Sequence, residues 1–309
     1  MTPFSAWRAA FDQLRRGRVD ELAHIPERSR MWRVAEKLST VELHRSHDDI
    51  PLDPSSLVGA PEDRVGRLFL GAYSEPGLVY ALKEYGLWSR VAEVARDKPV
   101  LTIDQVGQST QRFTITDGQG GPCLVEVKAG LRYGPDGDDS VAHDLPGPRD
   151  QPWLSMEWLL LQDPHRSFPP ERPRLPGQKY PGLGVGREVM ELMLISGWRL
   201  GCIGVVASPA WFHNAVMYRI HYRFVDPAEE GRFLALRAAW RDSGISLAQA
   251  SLDMDKGRVV DGDGEVVHWR PGPIVAPLKA AGALEQDPTY GPAVDAARSA
   301  AQFRFPEPG

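Results

Sequence analysis

The run Gly182-Leu183-Gly184-Val185-Gly186 leads into Arg187-Glu188-Val189-Met190-Glu191-Leu192-Met193-Leu194-Ile195. A glycine-rich turn that opens a helix leaves backbone N–H groups unpaired, and the helix dipole adds about half a positive charge at that end. Such a site holds an anion, and glycines let a phosphate approach the backbone closely. Lys179, Arg187 and Arg174 could add charge. The other reading is a loop that uses glycine only to turn tightly. One further residue could move a proton. Glu157 lies inside the apolar stretch Leu154–Gln162. Burial there would raise its pKa toward neutrality, where a carboxylate is a more effective base; otherwise it faces solvent or pairs with an arginine. Tyr218, among Trp211, Phe212 and Tyr222, reads by residue type as a core aromatic.

Other chemistries find less support. A dinucleotide site needs Gly-x-Gly-x-x-Gly and a later acidic residue, but the spacing here is Gly-x-Gly-x-Gly, and the next apolar run ends in Ala207-Ser208. Neither the Gly-Lys-Ser/Thr of a nucleoside-triphosphate loop, nor Gly-x-Ser-x-Gly, nor His-Glu-x-x-His occurs. His44, His47, Asp48 and Asp49 make a sparse metal set, read as a solvated helix end, and no metal is expected. His213 and His221 are eight residues apart, too far to share one ion readily, and are expected to be partly buried and hydrogen-bonded. Cys202 falls in a buried strand, and Cys123 has no adjacent base.

The elements that would position these groups follow from periodicity. Residues 1–98 read as helical. Phe4, Trp7, Phe11 and Leu14 mark one helix; Met31, Val34, Ala35 and Leu38 mark a second. Val65, Leu68 and Phe69 suggest a third, and Tyr80–Ala95 a fourth. The period then switches to two. Leu101 and Ile103, Phe113 and Ile115, then Cys123, Val125 and Val127 alternate with polar residues between tight turns, which predicts an antiparallel meander. Tyr133–Pro152 reads as a loop, Leu154–Gln162 as a central strand, and the proline-rich 168–181 as a segment that cannot be helix. Cys202–Val206 is a short strand, Ser208-Pro209 a helix start, and Asp226-Pro227 the start of a helix through Trp240. Arg258–Trp269 suggests a hairpin turned at Asp263-Gly264. The expected class is α+β, a mixed and mainly antiparallel sheet, with a helical region over 1–98 and an α+β domain over 99–309.

Composition sets the outer limits. Of 309 residues, 42% are hydrophobic and 25% charged, a globular balance that excludes a wholly disordered chain. The net charge of −5 provides no field to hold nucleic acid or an anionic membrane. The basic runs at Arg15–Arg18 and Arg28–Arg30 have acidic neighbours and read as solvated faces. No run of about 18 apolar residues exists, the N-terminus lacks a signal-peptide core, and the expected location is the cytoplasm.

In order of elements the chain resembles the GNAT acyltransferase superfamily, over about residues 100–226. Lys179-Tyr180-Pro181-Gly182-Leu183-Gly184 has the spacing of that family's Gln/Arg-x-x-Gly-x-Gly/Ala turn, with Lys179 in the Gln/Arg place. The resemblance implies acetyl-CoA or another acyl-CoA held at Lys179 and Gly182–Arg187, and a splayed strand pair near Trp158 and Val205. It also implies a small-molecule or peptide amine as acceptor, Glu157 as base and Tyr218 as acid. The alternative is a non-catalytic protein that uses the same scaffold to bind a protein partner.

Overall fold

The computed structural model describes residues 29–44, 68–133, 145–170, 172–279 and 282–307. The basic run at residues 15–18, the first expected helix, and His47, Asp48 and Asp49 lie outside them.

Three alternating segments form the meander that their period requires. β1 (Val100–Gln105), β2 (Thr110–Thr116) and β3 (Cys123–Arg132) pair antiparallel, and β4 (Trp153–Leu161) adds to β3 in the same sense. Cross-strand rows assign the two faces. Ile103, Phe113, Val127 and Leu159 form one row and Leu101, Ile115, Val125 and Leu161 the next; both are apolar. On the opposite face the row is Asp104, Arg112, Lys128 and Trp158. There Arg112 bonds Asp104 at 2.9 Å and reaches Glu126 at 3.6 Å.

Beyond β4 the sheet continues with β5 (Gly204–Ala207), β8 (Ile274–Pro277) and β6 (Arg223–Phe224). The order is β1-β2-β3-β4-β5-β8-β6, and β4 with β5 is its one parallel pair. A parallel pair needs a crossover. Here it is the proline-rich segment followed by helix α5 (Gly186–Arg199), whose Val189, Met190 and Leu192–Ile195 are buried. The fold is therefore α+β with a mainly antiparallel seven-stranded sheet.

The apolar rows of β1–β4 are covered by helices from the N-terminal region. α1 (Arg30–Lys37) and α2 (Thr40–Leu43) precede α3 (Glu75–Glu84) and α4 (Leu87–Val94). Leu82 of α3, Val91 of α4 and Val189 and Met193 of α5 meet Phe113 and Val127 around a cavity of about 30 Å³. Arg199 donates to the carbonyls of Ala35 and Leu38, and Trp32 packs edge-on to Trp198 at 5.7 Å. The described residues from Met31 to Leu43 and from Phe69 to Val91 thus share one core with the sheet. Two helical expectations need correction. Residues 68–73 form a tight turn closed by Phe69 and Tyr73, not a helix. The segment from Tyr80 to Ala95 is two helices, because the chain adopts a left-handed conformation at Gly86 (φ 80°).

The remaining helices are α6 (Phe212–Tyr218), α7 (Pro227–Ser243), α8 (Leu247–Asp255) and α9 (Tyr290–Ala300). Asp226 caps α7 as expected, its Oδ1 accepting from the Ala228 N–H at 2.8 Å. α6 starts three residues after Pro209, with Trp211 at its N-cap, so Ser208-Pro209 is not its cap. The turn at Asp263-Gly264 forms, and the Asp261 N–H reaches the Glu265 carbonyl. The expected hairpin is present but short: Val260 pairs antiparallel with Val266 and the Val267 N–H bonds the Val259 carbonyl at 2.9 Å, while β7 (Val260–Asp261) also pairs with β9 (Phe303–Arg304).

Candidate functional site

β4 is nine residues long, but β5 accompanies it only at Leu154, Ser155 and Met156. After Met156 the two strands part, and β4 continues against β3 alone. The departure coincides with a bulge. Lys128 of β3 opposes Trp158 and Ala129 opposes Met156, so Glu157 is an extra residue with no partner in either ladder. A bulge bends its strand and re-aims side chains; both Glu157 and Trp158 end exposed.

The parting opens a cleft of about 170 Å³. One wall is β4 from Met156 onward; the other is α6 with His213, Asn214, Met217 and Tyr218; the proline-rich strap closes it with Gly177, Lys179 and Tyr180. The strap is held by Trp211. A Cβ on Gly177 would stand 2.2 Å from the Trp211 ring, so only glycine allows this approach. The Trp211 ring also stacks on His213, with centroids 6.0 Å apart and planes 14° apart.

Glu157 lines the cleft but is not buried, which corrects the expectation of an apolar enclosure. Its Oε1 accepts from Thr110 Oγ1 at 2.7 Å and pairs with the Arg132 guanidinium. Arg132 in turn donates to the hydroxyls of Ser109 and Thr110. The arginine-paired alternative is the one that forms. The cause is the bulge, which turns Glu157 toward the polar face where β2 and β3 supply donors.

Tyr218 faces it from α6, half-buried, its ring 5.9 Å from that of Tyr222. Burial pushes the Tyr218 hydroxyl up to about 12, so it stays protonated at neutral pH and can only give a proton. The Tyr222 hydroxyl is fully buried and has no hydrogen-bond partner among the described residues. His213 is buried, and its Nδ1 lies 2.7 Å from Ser251 Oγ on α8. Burial holds His213 down to about 4, a neutral imidazole, and His221 likewise. Both histidines are thus buried; for His213 the expected hydrogen bond is present.

The glycine turn sits just past the strap end of the cleft. The Asp163 N–H bonds the Pro181 carbonyl at 2.8 Å, which ties the turn to the end of β4. Gly184 has φ 75° with open space around it. Val185 at the N-cap of α5 offers no side-chain cap. The N–H groups of residues 183–188 donate to no other described residue. They are unsatisfied helix-start donors of the kind that hold anions. Gly182–Arg187 themselves do not line the cleft, whereas Lys179 and Tyr180 do. Lys179 is exposed, with Nζ 5.3 Å from the Tyr180 ring, and the Arg174 side chain is turned to the Gln178 carbonyl.

Both thiols are held protonated by burial, Cys202 up to about 11. Among the described residues no group of three His, Cys, Asp or Glu is placed to hold a metal ion, and no helix is long and apolar enough to cross a membrane. Sequence reading missed Arg132, Thr110 and Ser109, because only the β2–β3–β4 register brings them to Glu157. Trp158 and Met217 gave a weak signal, large apolar side chains that do not keep the core period of their element.

No protein-family model matches the chain, and no curated protein matches it either.

Proposed function

We propose that the chain is an acyl-CoA-dependent N-acyltransferase of the GNAT type. The observation that carries the reading is the parting of β4 from β5 at Met156, which opens one cleft between a carboxylate, a protonated phenol and a cationic end. Further support comes from the strand order, with one parallel pair bridged by a glycine turn and a helix. The donor groups around Lys179 and residues 183–188 suit the phosphates of CoA.

Bound acyl-CoA supplies a thioester carbonyl and a thiol leaving group. Glu157 takes the proton from the acceptor nitrogen as the N–C bond forms, and Tyr218 gives its proton to the departing sulfur as the C–S bond breaks. The Glu157 clamp with Arg132 favours one second reading, a protein that binds CoA without turning it over. Calorimetry with acetyl-CoA and CoA tests the first claim: binding is expected for both, and silence to millimolar concentration overturns it. Thiol release with an amine present then separates the enzyme from the binder.

A further inference from the structure

The cleft carries little charge for a site that would take an amine. Among the described residues, Glu157 is the one carboxylate that lines it, and Lys179 is the one cation. Glu157 is already paired with Arg132. Lys128 stands 5.8 Å above the Trp158 ring, on the same outward row. Glu126, the neighbouring carboxylate, is already shared by Lys128 at 3.8 Å and Arg112 at 3.6 Å, so a polycationic acceptor would find no second carboxylate free of its own cation among these groups, and like charges across an interface are unfavourable. What the entrance offers instead is apolar surface. Trp158 is 42% exposed beside Glu157, and Met217 is 49% exposed on the facing wall. Lys128 covers one side of the indole, and the part that stays exposed beside Glu157 suits contact with an apolar ligand.

Resting on the acyl-transfer reading, we infer that the acceptor is a primary monoamine on a flat apolar body, with Trp158 as the surface that recognises it. The amine sits at Glu157, the body lies along the indole, and Met217 closes from the opposite side. The chemistry is the transfer already described: the amine nitrogen gains the acyl carbon, and its proton leaves to Glu157.

The test uses the full chain with acetyl-CoA as donor and thiol release as readout, comparing tryptamine and phenethylamine with spermidine and lysine. The two aryl amines are expected to have the higher kcat/KM. Trp158→Ala is expected to raise the KM for tryptamine about tenfold, the scale of an apolar-pocket contact. It should leave the KM for acetyl-CoA unchanged, and Trp158→Phe should restore most of the loss. Spermidine or lysine used as well as tryptamine, or an indifferent Trp158→Ala, overturns the inference. So does CoA binding with none of the four amines acylated. Failure of CoA to bind at all instead removes the acyl-transfer reading beneath it.

Discussion

Asp117, at the end of β2, and Glu157, within β4, are carboxylates held in opposite ways. Asp117 follows β2 directly and is 5% exposed. Its Oδ1 accepts the N–H groups of Arg96 and Asp97 at 2.8 and 2.7 Å, and Oδ2 meets His165 Nε2 at 2.6 Å. Three loops are joined through that one side chain, and both oxygens are occupied. Glu230 on α7 is of the same kind, 2% exposed, between Arg219 at 3.0 Å and the Phe224 N–H at 3.0 Å. At Glu157 the described partners fall on Oε1 alone, and the group faces an open cleft. A carboxylate saturated by its own protein is committed to holding the fold, whereas one that keeps an oxygen turned to solvent is available to a ligand.

The sharpest way to break this contrast is to remove each carboxylate. Glu230→Ala is expected to cost about 3–5 kcal/mol by denaturant unfolding, because it breaks the ion pair with Arg219 and takes the acceptor from the buried Phe224 N–H. Glu157→Ala should cost about 1 kcal/mol or less, the scale of a partly exposed pair. Equal losses would erase the distinction. Catalysis should rank them the other way: Glu157→Gln is expected to lower acyl transfer about 10²–10⁴-fold, the usual worth of a general base, with melting temperature and CoA binding unchanged. If turnover survives, Glu157 is not the base.

Acidity sharpens the comparison further. Backbone hydrogen bonds from Asp97, then the His165 contact, hold the Asp117 carboxyl below its usual value. The unfolded chain therefore takes up that proton first, and stability present at neutral pH is lost as pH falls through the carboxylate range. Asp117→Asn should flatten the acid limb of a melting-temperature profile; an unaltered limb would show that the clamp carries none of it. The smallest expected effect is at the cationic end of the cleft. Lys179→Ala should weaken CoA binding several-fold in calorimetry, more at low salt than at high, since an exposed charge is screened.

Much of the frame was legible beforehand. The period-two runs of β1–β3 and the apolar Leu154–Gln162 stretch placed four strands, because alternation and burial are local properties. The Asp226-Pro227 start and the glycine turn before α5 were equally plain. What local pattern could not give was pairing between distant segments. β8 was not anticipated, since Ile274–Pro277 is too short to stand out, yet it separates β5 from β6. The bulge at Glu157 arises from register against β3, so its exposure and its tie to Arg132 were hidden. Tyr218 and Lys179, candidates in the sequence, both line the cleft, while Trp158 becomes meaningful only once the strand has parted from its neighbour.

Gly177 leaves the molecule with an entrance whose width is set by a missing methyl group. The Trp211 indole occupies the space that any other residue at 177 would fill. Even alanine there would have to lift the proline-rich strap from α6 or swing the indole off His213. Either movement would remodel the doorway while leaving the chemistry behind it untouched, so substitution at this one position could retune which molecules gain admission.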